Sequence, residues 1–130
     1  MAAYLLDTCV AIWYFQGSDR ISADLVELLR NPRNDLCLSD VSVLEIVIKH
    51  RLGKLPLPKP PSRIILPLAR KHWMESLPLT TDAIFALERL PDLHRDPFDR
   101  LLIGQALTRR LELVTPDPLI RQYDVATLWI

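Results

Sequence analysis

Glycine is scarce in this chain, and its absence from key positions argues against several enzyme classes. The 130 residues include only three glycines, and they form neither a GxSxG motif nor a GxxxxGK[ST] loop. A serine-hydrolase elbow, a P-loop and a dinucleotide fold all need glycine, because their backbones bend sharply or approach a phosphate closely. The sequence therefore disfavours all three classes.

Cysteine and histidine are also few and dispersed. Cys9 and Cys37 do not form a CxxC pair and lie in apolar runs near predicted strand ends, so we interpret them as buried reduced thiols, with a disulfide or a catalytic thiol as alternatives. His50, His72 and His94 show neither HxH nor HExxH spacing. This spacing argues against a histidine zinc site.

Excess charge and long apolar runs are lacking as well. The formal net charge is zero, which disfavours a general nucleic-acid coat protein but leaves open an enzyme that contacts nucleic acid at one site. No run approaches the roughly 18 apolar residues of a membrane span, and AAYLL is too short for a signal-peptide core. We expect a soluble, cytoplasmic protein without a membrane partner, folded as a single domain over residues 1–130.

Apolar patterning predicts strands that alternate with helices along the whole chain. Buried strands are predicted at Ala3–Leu6, Leu36–Leu38, Ser76–Leu79, Leu111–Thr115 and Val125–Trp129. The predicted helix N-caps are Ser22, one of Ser39, Asp40 and Ser42, then Thr81 or Asp82, and Asp96 followed by Pro97 as the first helical residue. This alternation favours an α/β fold with a central, mainly parallel sheet covered on both faces.

Four acidic residues stand where the chain changes from strand to helix. They are Asp7 in YLLDT, Glu45 in SVLEIVIK, Asp99 in RDPFDRLLIGQA and Asp117 in LVTPDP. Ligands of open α/β sheets bind beyond the carboxyl ends of the strands, where these residues would meet. Clustered carboxylates beside apolar surface need a cation, and Mg²⁺ or Mn²⁺ fits. Such an ion would activate a water for in-line phosphodiester hydrolysis.

Each acidic residue also has a simpler reading. Asp7 and Asp117 could cap a helix or a turn, and Ser42 with Glu45 matches a capping box. Asp96 is mainly an N-cap, whereas capping and site roles are about even for Asp99.

Three basic residues lie near the acidic ones in the sequence. Lys49, Arg95 and Arg100 could contact substrate phosphates, or they could lie on solvated helix faces.

Four segments of the chain carry a family resemblance, and they are LLDT, SVLEIVIKHRLGKLPLP, HRDPFDRLLIGQAL and LVTPDPLIRQYDVATLWI. Together they resemble a PIN-domain protein, and more narrowly a VapC-type toxin of a type II toxin–antitoxin system. The likeness extends over essentially the whole chain, and its most specific parts are RDPFDRLLI and LVT-x-D-P. It implies a three-layer α/β/α PIN-like fold and a Mg²⁺- or Mn²⁺-dependent endoribonuclease. The four acidic positions of that family fall on Asp7, Glu45, Asp99 and Asp117.

The resemblance also implies accessory residues and partners. Asp96 either joins the site or only caps its helix, and the hydroxyl of Thr115 supports the acidic cluster. Cys9 departs from the polar residue or histidine that is more usual there. Such toxins act on RNA, usually form homodimers, and are neutralised by an antitoxin whose C-terminal segment covers the active site. The apolar helices after Asp7 and around Ile46 to Leu52 could form that groove.

Two other functions compete with the nuclease. A phosphoacceptor receiver domain has the same length and an acidic Mg²⁺ pocket, but it needs paired acids after its first strand and a lysine after its fifth. Asp7 has no acidic neighbour, and Asp117 follows LVT where the lysine would be wanted. The third possibility is a catalytically inert interaction domain whose acids only cap helices.

Overall fold

A computed structural model describes residues 2–130, in which five strands form one parallel sheet. The strands are β1 (Ala3–Leu6), β2 (Asp35–Ser39), β3 (Met74–Leu77), β4 (Glu112–Val114) and β5 (Thr127–Leu128). Their order is β3-β2-β1-β4-β5, and all four pairings are parallel. The predicted α/β class with a parallel sheet is confirmed. The strand order reverses between β1 and β4, where a crevice opens at the carboxyl edge of the sheet.

Helices cover both faces of the sheet. They are α1 (Thr8–Gln16), α2 (Ala23–Arg30), α3 (Asp40–Arg51), α4 (Pro61–Lys71), α5 (Thr81–Phe85) and α6 (Pro97–Arg109), with 3₁₀ turns at Ala86–Arg89 and Ile120–Gln122. Neighbouring residues of β1 point to opposite faces, so Leu6 packs in one core cluster with Leu25, and Leu5 in the other with Leu102. The molecule therefore has three layers, α/β/α. Within residues 2–130, no helix has both the length and the apolar character needed to cross a bilayer.

Three helices begin at side chains that accept hydrogen bonds from the first turn. Ser22 Oγ accepts from the Leu25 N–H at 3.1 Å, and Ser39 Oγ accepts from the Val41 N–H at 2.9 Å. Asp96 Oδ1 accepts from the Phe98 N–H at 2.9 Å. The predictions for Ser22 and Asp96 are confirmed, and Ser39 is the cap among the three candidates for α3.

Some predicted boundaries are wrong. Strand β3 runs over Met74–Leu77 instead of Ser76–Leu79, because it pairs with β2 from Leu36 onward and Pro78 has no N–H to extend the ladder. The N-cap of α5 is Thr80 and not Thr81 or Asp82, so the helix begins at Thr81. The final strand contains only Thr127–Leu128.

Candidate metal and active site

The four predicted acidic residues are carried by different elements that meet at the carboxyl edge of the sheet. Asp7 follows β1, Asp117 follows β4, Glu45 lies in α3 and Asp99 lies in the first turn of α6. Asp7, Glu45 and Asp99 retain only 5, 4 and 8% of their surface exposed. Burial raises the pKa of Asp99 most, and the negative charges of Asp7 and, more weakly, Glu45 raise it further, so these carboxylates are close enough to repel one another.

Thr115 connects two acidic residues across the crevice between β1 and β4. Its fully buried hydroxyl donates to Asp7 Oδ2 at 2.7 Å and accepts from the Asp117 N–H at 3.1 Å. The bond to Asp7 lowers the pKa of that carboxyl, but burial raises it by more. Thr115 thus occupies the supporting position predicted for it, although its functional role stays a prediction.

His94 lies in the site, and sequence reasoning missed it. Its Nε2 donates to Asp99 Oδ2 at 2.7 Å and lies 3.3 Å from Asp117 Oδ2. One potential ligand atom from each of these three residues lies within 4.8 Å of the others. The only sequence signal was that His94 comes two residues before Asp96 in the acidic motif. Histidine spacing alone could not reveal contacts that the fold creates.

The loop that carries His94 is held by Arg100 and Tyr123. Tyr123 Oη accepts from the His94 N–H at 2.9 Å and from Arg100 at 3.0 Å. Arg100 also donates to the carbonyls of Pro91 at 3.0 Å and Leu87 at 3.4 Å. The phosphate contact predicted for Arg100 therefore competes with a structural role. Asp96 caps α6, as predicted, and its N–H lies 3.4 Å from His94 Nδ1.

Glu45 has one paired and one unpaired carboxylate oxygen. Lys49 Nζ lies 2.6 Å from Oε2, and this bond raises the pKa of the lysine. The other oxygen, Oε1, is buried and has no hydrogen-bond partner among the described residues. An unpaired buried carboxylate oxygen is unfavourable unless a cation or water contacts it. Lys49 and Arg95 are exposed, so the structure leaves the phosphate contacts predicted for them sterically open.

The carboxylates of the site are not fully balanced by positive side chains. Burial, and then repulsion from Asp7 and Asp96, raises the pKa of Asp99 to about 7, while His94 partly opposes this shift. Carboxylate oxygens and one imidazole nitrogen are a donor set that divalent cations accept. Together with the unpaired Glu45 oxygen, this charge deficit shows that the residues present fit a divalent metal ion.

The thiol of Cys9 is unreactive, although it lies next to the site. Burial, followed by the charge of Asp7, raises the pKa of its thiol to about 12. Cys9 and Cys37 are both free. The interpretation as reduced thiols agrees with the structure, the disulfide alternative is wrong, and a thiol held protonated is a poor nucleophile.

Known proteins share this architecture. VapBC2 from Rickettsia felis, solved bound to a promoter DNA fragment, aligns with a TM-score of 0.73 and 15% identity over 98% of this chain and 99% of that chain. VapBC-5 from Mycobacterium tuberculosis aligns with a TM-score of 0.63 and 23% identity over 100% of both chains. The PIN-domain endonuclease Utp24 aligns with a TM-score of 0.51 and 20% identity over 92% of this chain and 74% of that chain.

These identities are low, so the structural matches show a shared fold. No curated protein sequence matches the chain significantly. The family profile described as the PIN domain matches residues 4–126, which is nearly the whole chain. With its parallel sheet and acidic crevice, the chain belongs to the PIN-domain family, whose members are generally nucleases.

Proposed function

We propose that the protein is a Mg²⁺- or Mn²⁺-dependent endoribonuclease and the toxin of a toxin–antitoxin pair. The strongest support is the convergence of Asp7, Glu45 and Asp99 from three elements into a buried site with an unpaired carboxylate oxygen. Under this proposal Asp7, Glu45, Asp99 and Asp117 hold the metal. When bound, the ion supplies positive charge that activates a water and stabilises the phosphodiester during hydrolysis.

The protein residues position the site before substrate arrives. Thr115 and the loop bonds of Tyr123 fix Asp7 and His94 before substrate arrives, which lowers the cost of assembling the site. In the metal-free protein, burial raises the pKa of Asp99 to about 7, so a bound cation would displace its proton near neutral pH and hold the carboxylate as a ligand. Lys49 and Arg95 lie at the exposed rim and would contact backbone phosphates.

The alternative functions differ in how well they agree with the fold. A receiver domain has the strand order 2-1-3-4-5, whereas this sheet has β3-β2-β1-β4-β5. The receiver alternative is therefore wrong. An inert interaction domain has no such conflict and must be separated from the nuclease by measurement.

Substitution of the buried acidic residues tests the nuclease proposal. We expect Asp7→Asn and Asp99→Asn to lose at least about 100-fold in Mg²⁺-dependent cleavage of a labelled RNA, because each removes a charged ligand of the proposed site. The exposed Asp19→Asn changes the net charge equally and should cleave as wild type does. Circular dichroism checks folding. The proposal would be rejected if all four proteins cleaved equally, or if wild type cleaved nothing with Mg²⁺ or Mn²⁺. A DNA substrate assayed in parallel tests the preference for RNA.

An apolar groove supports the antitoxin part of the proposal. A cavity of about 220 Å³ is lined by side chains from α1, α3, α4 and the proline-rich segment between α3 and α4, among them Ile12, Phe15, Ile46, Leu57 and Leu68. Ile46 follows Glu45 directly in α3, so the groove and the acidic site share this helix. An apolar helix of the antitoxin would suit the groove. Several fold neighbours were solved as VapBC complexes, which agrees with a partner of this kind.

The partner and the assembly state can be tested together. We expect the product of a short neighbouring reading frame to co-purify with this protein and to suppress RNA cleavage. Phe15→Asp would place a charge in the groove and should abolish co-purification while leaving cleavage intact. Light scattering on the isolated protein tests the proposed homodimer. We also propose a cytoplasmic location, because an RNA substrate and a newly made antitoxin would both be present there.

A further inference from the structure

We propose that His94 is a nitrogen ligand of the metal site and makes that site prefer Mn²⁺ over Mg²⁺. The inference rests on the proposed metal-dependent function and adds a residue and a metal preference to it. His94 Nε2 lies 2.7 Å from Asp99 Oδ2 and 3.3 Å from Asp117 Oδ2. Only 13% of its side-chain surface is exposed. The imidazole thus faces two carboxylates that converge from different elements.

The position of His94 is built into the fold. Its backbone N–H donates to Tyr123 Oη, and Arg100 bonds the same hydroxyl, the Pro91 carbonyl of the loop and the Leu87 carbonyl of the preceding 3₁₀ turn. These bonds fix the backbone of the loop, and the Nε2 bond to Asp99 holds the ring over the crevice without help from a ligand. A mobile surface histidine would lose more entropy on binding a metal, so this arrangement favours a ligand role.

The hydrogen bonds also define what must change when the ion binds. Without metal, Nε2 carries the proton that it donates to Asp99, and Nδ1 faces the Asp96 N–H at 3.4 Å. The ligand form is the other neutral tautomer, in which the proton lies on Nδ1 and the lone pair of Nε2 faces the ion. The change gives up the Nε2–H bond to Asp99 and the long contact with the Asp96 N–H, and the bound ion replaces the first of these by contacting both groups. The unpaired Oε1 of the 96%-buried Glu45 is an independent sign that the site lacks a cation.

The mixed donor set determines the preferred ion. Mg²⁺ selects oxygen ligands in a strict octahedron and gives up water reluctantly. First-row transition ions accept imidazole nitrogen more readily. One nitrogen among several carboxylates therefore raises the affinity for Mn²⁺ relative to Mg²⁺.

Pulsed electron paramagnetic resonance of bound Mn²⁺ tests the proposal, because it detects a coordinated ¹⁴N nucleus directly. We expect ¹⁴N coupling in the wild-type complex, its loss in His94→Gln, and its retention in His50→Gln, in which the glutamine amide can still bond the Leu55 carbonyl. Calorimetry should show Mn²⁺ affinity falling about 10-fold or more in His94→Gln, with a smaller loss for Mg²⁺.

Each result has a defined meaning. Mn²⁺ bound to wild type without ¹⁴N coupling overturns the role of His94 and leaves the nuclease proposal standing. Coupling that persists in His94→Gln has the same meaning. Absence of Mn²⁺ binding by wild type overturns both proposals. The wild-type spectrum decides the question even where a variant folds poorly.

Discussion

A single hydroxyl joins two acidic residues that are far apart in the chain. Thr115 Oγ1 bonds Asp7, which is 108 residues away, and also accepts the N–H of Asp117. Since Thr115 is fully buried, water cannot replace either bond easily. The residue therefore both stabilises the fold and orients the Asp7 carboxylate.

Replacement of Thr115 by valine keeps the shape and removes both hydrogen bonds. We expect the free energy of unfolding to fall by about 1–3 kcal/mol, because a buried carboxylate oxygen and a backbone N–H lose their partner. Urea denaturation measures the change, and Thr127→Val in β5 is the matched control. A loss no larger than that of the control would show that the hydroxyl is not structurally important.

The packing of α5 against α6 depends on a residue without a side chain. A Cβ atom built on Gly104 would lie 2.5 Å from the Ala83 carbonyl oxygen and 3.0 Å from Leu87 Cδ1. Backbone cannot yield as a flexible side chain can, so the two helices must move apart to accept any larger residue. Gly104 thus allows α5 and α6 to approach each other closely.

Gly104→Ala should destabilise the protein although alanine favours helix formation. We expect a loss of about 1–3 kcal/mol in the free energy of unfolding, because overpacking outweighs the gain in helix propensity. Thermal or urea denaturation gives the value, and the exposed Arg109→Ala on the same helix should stay within about 0.5 kcal/mol of wild type. A stabilised Gly104→Ala protein would contradict the packing described for α5 and α6.

Elements with strong local signals could be predicted from sequence, and those set by tertiary contacts could not. The N-caps Ser22 and Asp96 are correct because each side chain bonds its own first turn. The bounds of β3 are wrong because pairing with β2 determines them. His94 was missed for the same reason, since its contacts with Asp99 and Asp117 exist only after β4 and α6 pack together.

The acidic site makes the stability of the whole molecule depend on pH. The pKa of Asp99 rises from 3.8 to about 7 in the folded protein, mainly through burial, so the folded state binds this proton more tightly than the unfolded state. The resulting stabilisation is complete below pH 4 or so and is lost as the pH rises through about 7. Asp7, whose pKa is also raised, acts in the same direction.

The metal-free protein should therefore be less stable at about pH 8 than at about pH 5. Between these two pH values the Asp99 shift alone sets an upper limit of about 3 kcal/mol on the difference, and relaxation of the site will reduce it. Urea denaturation in EDTA measures this, and Asp99→Asn should flatten the dependence. Saturating Mn²⁺ should oppose it by offsetting the carboxylate charges. Equal stability at both pH values in EDTA would contradict the electrostatic description of the site.

Calorimetric titration with Mn²⁺ is the most direct test of the central claim that carboxylates from four elements form one cation site. Wild type and Asp19→Asn should bind alike, whereas Asp7→Asn, Glu45→Gln, Asp99→Asn and Asp117→Asn should each bind at least about 10-fold more weakly. Undiminished Mn²⁺ affinity in these four variants would mean that the acidic residues meet at the sheet edge without forming a metal site.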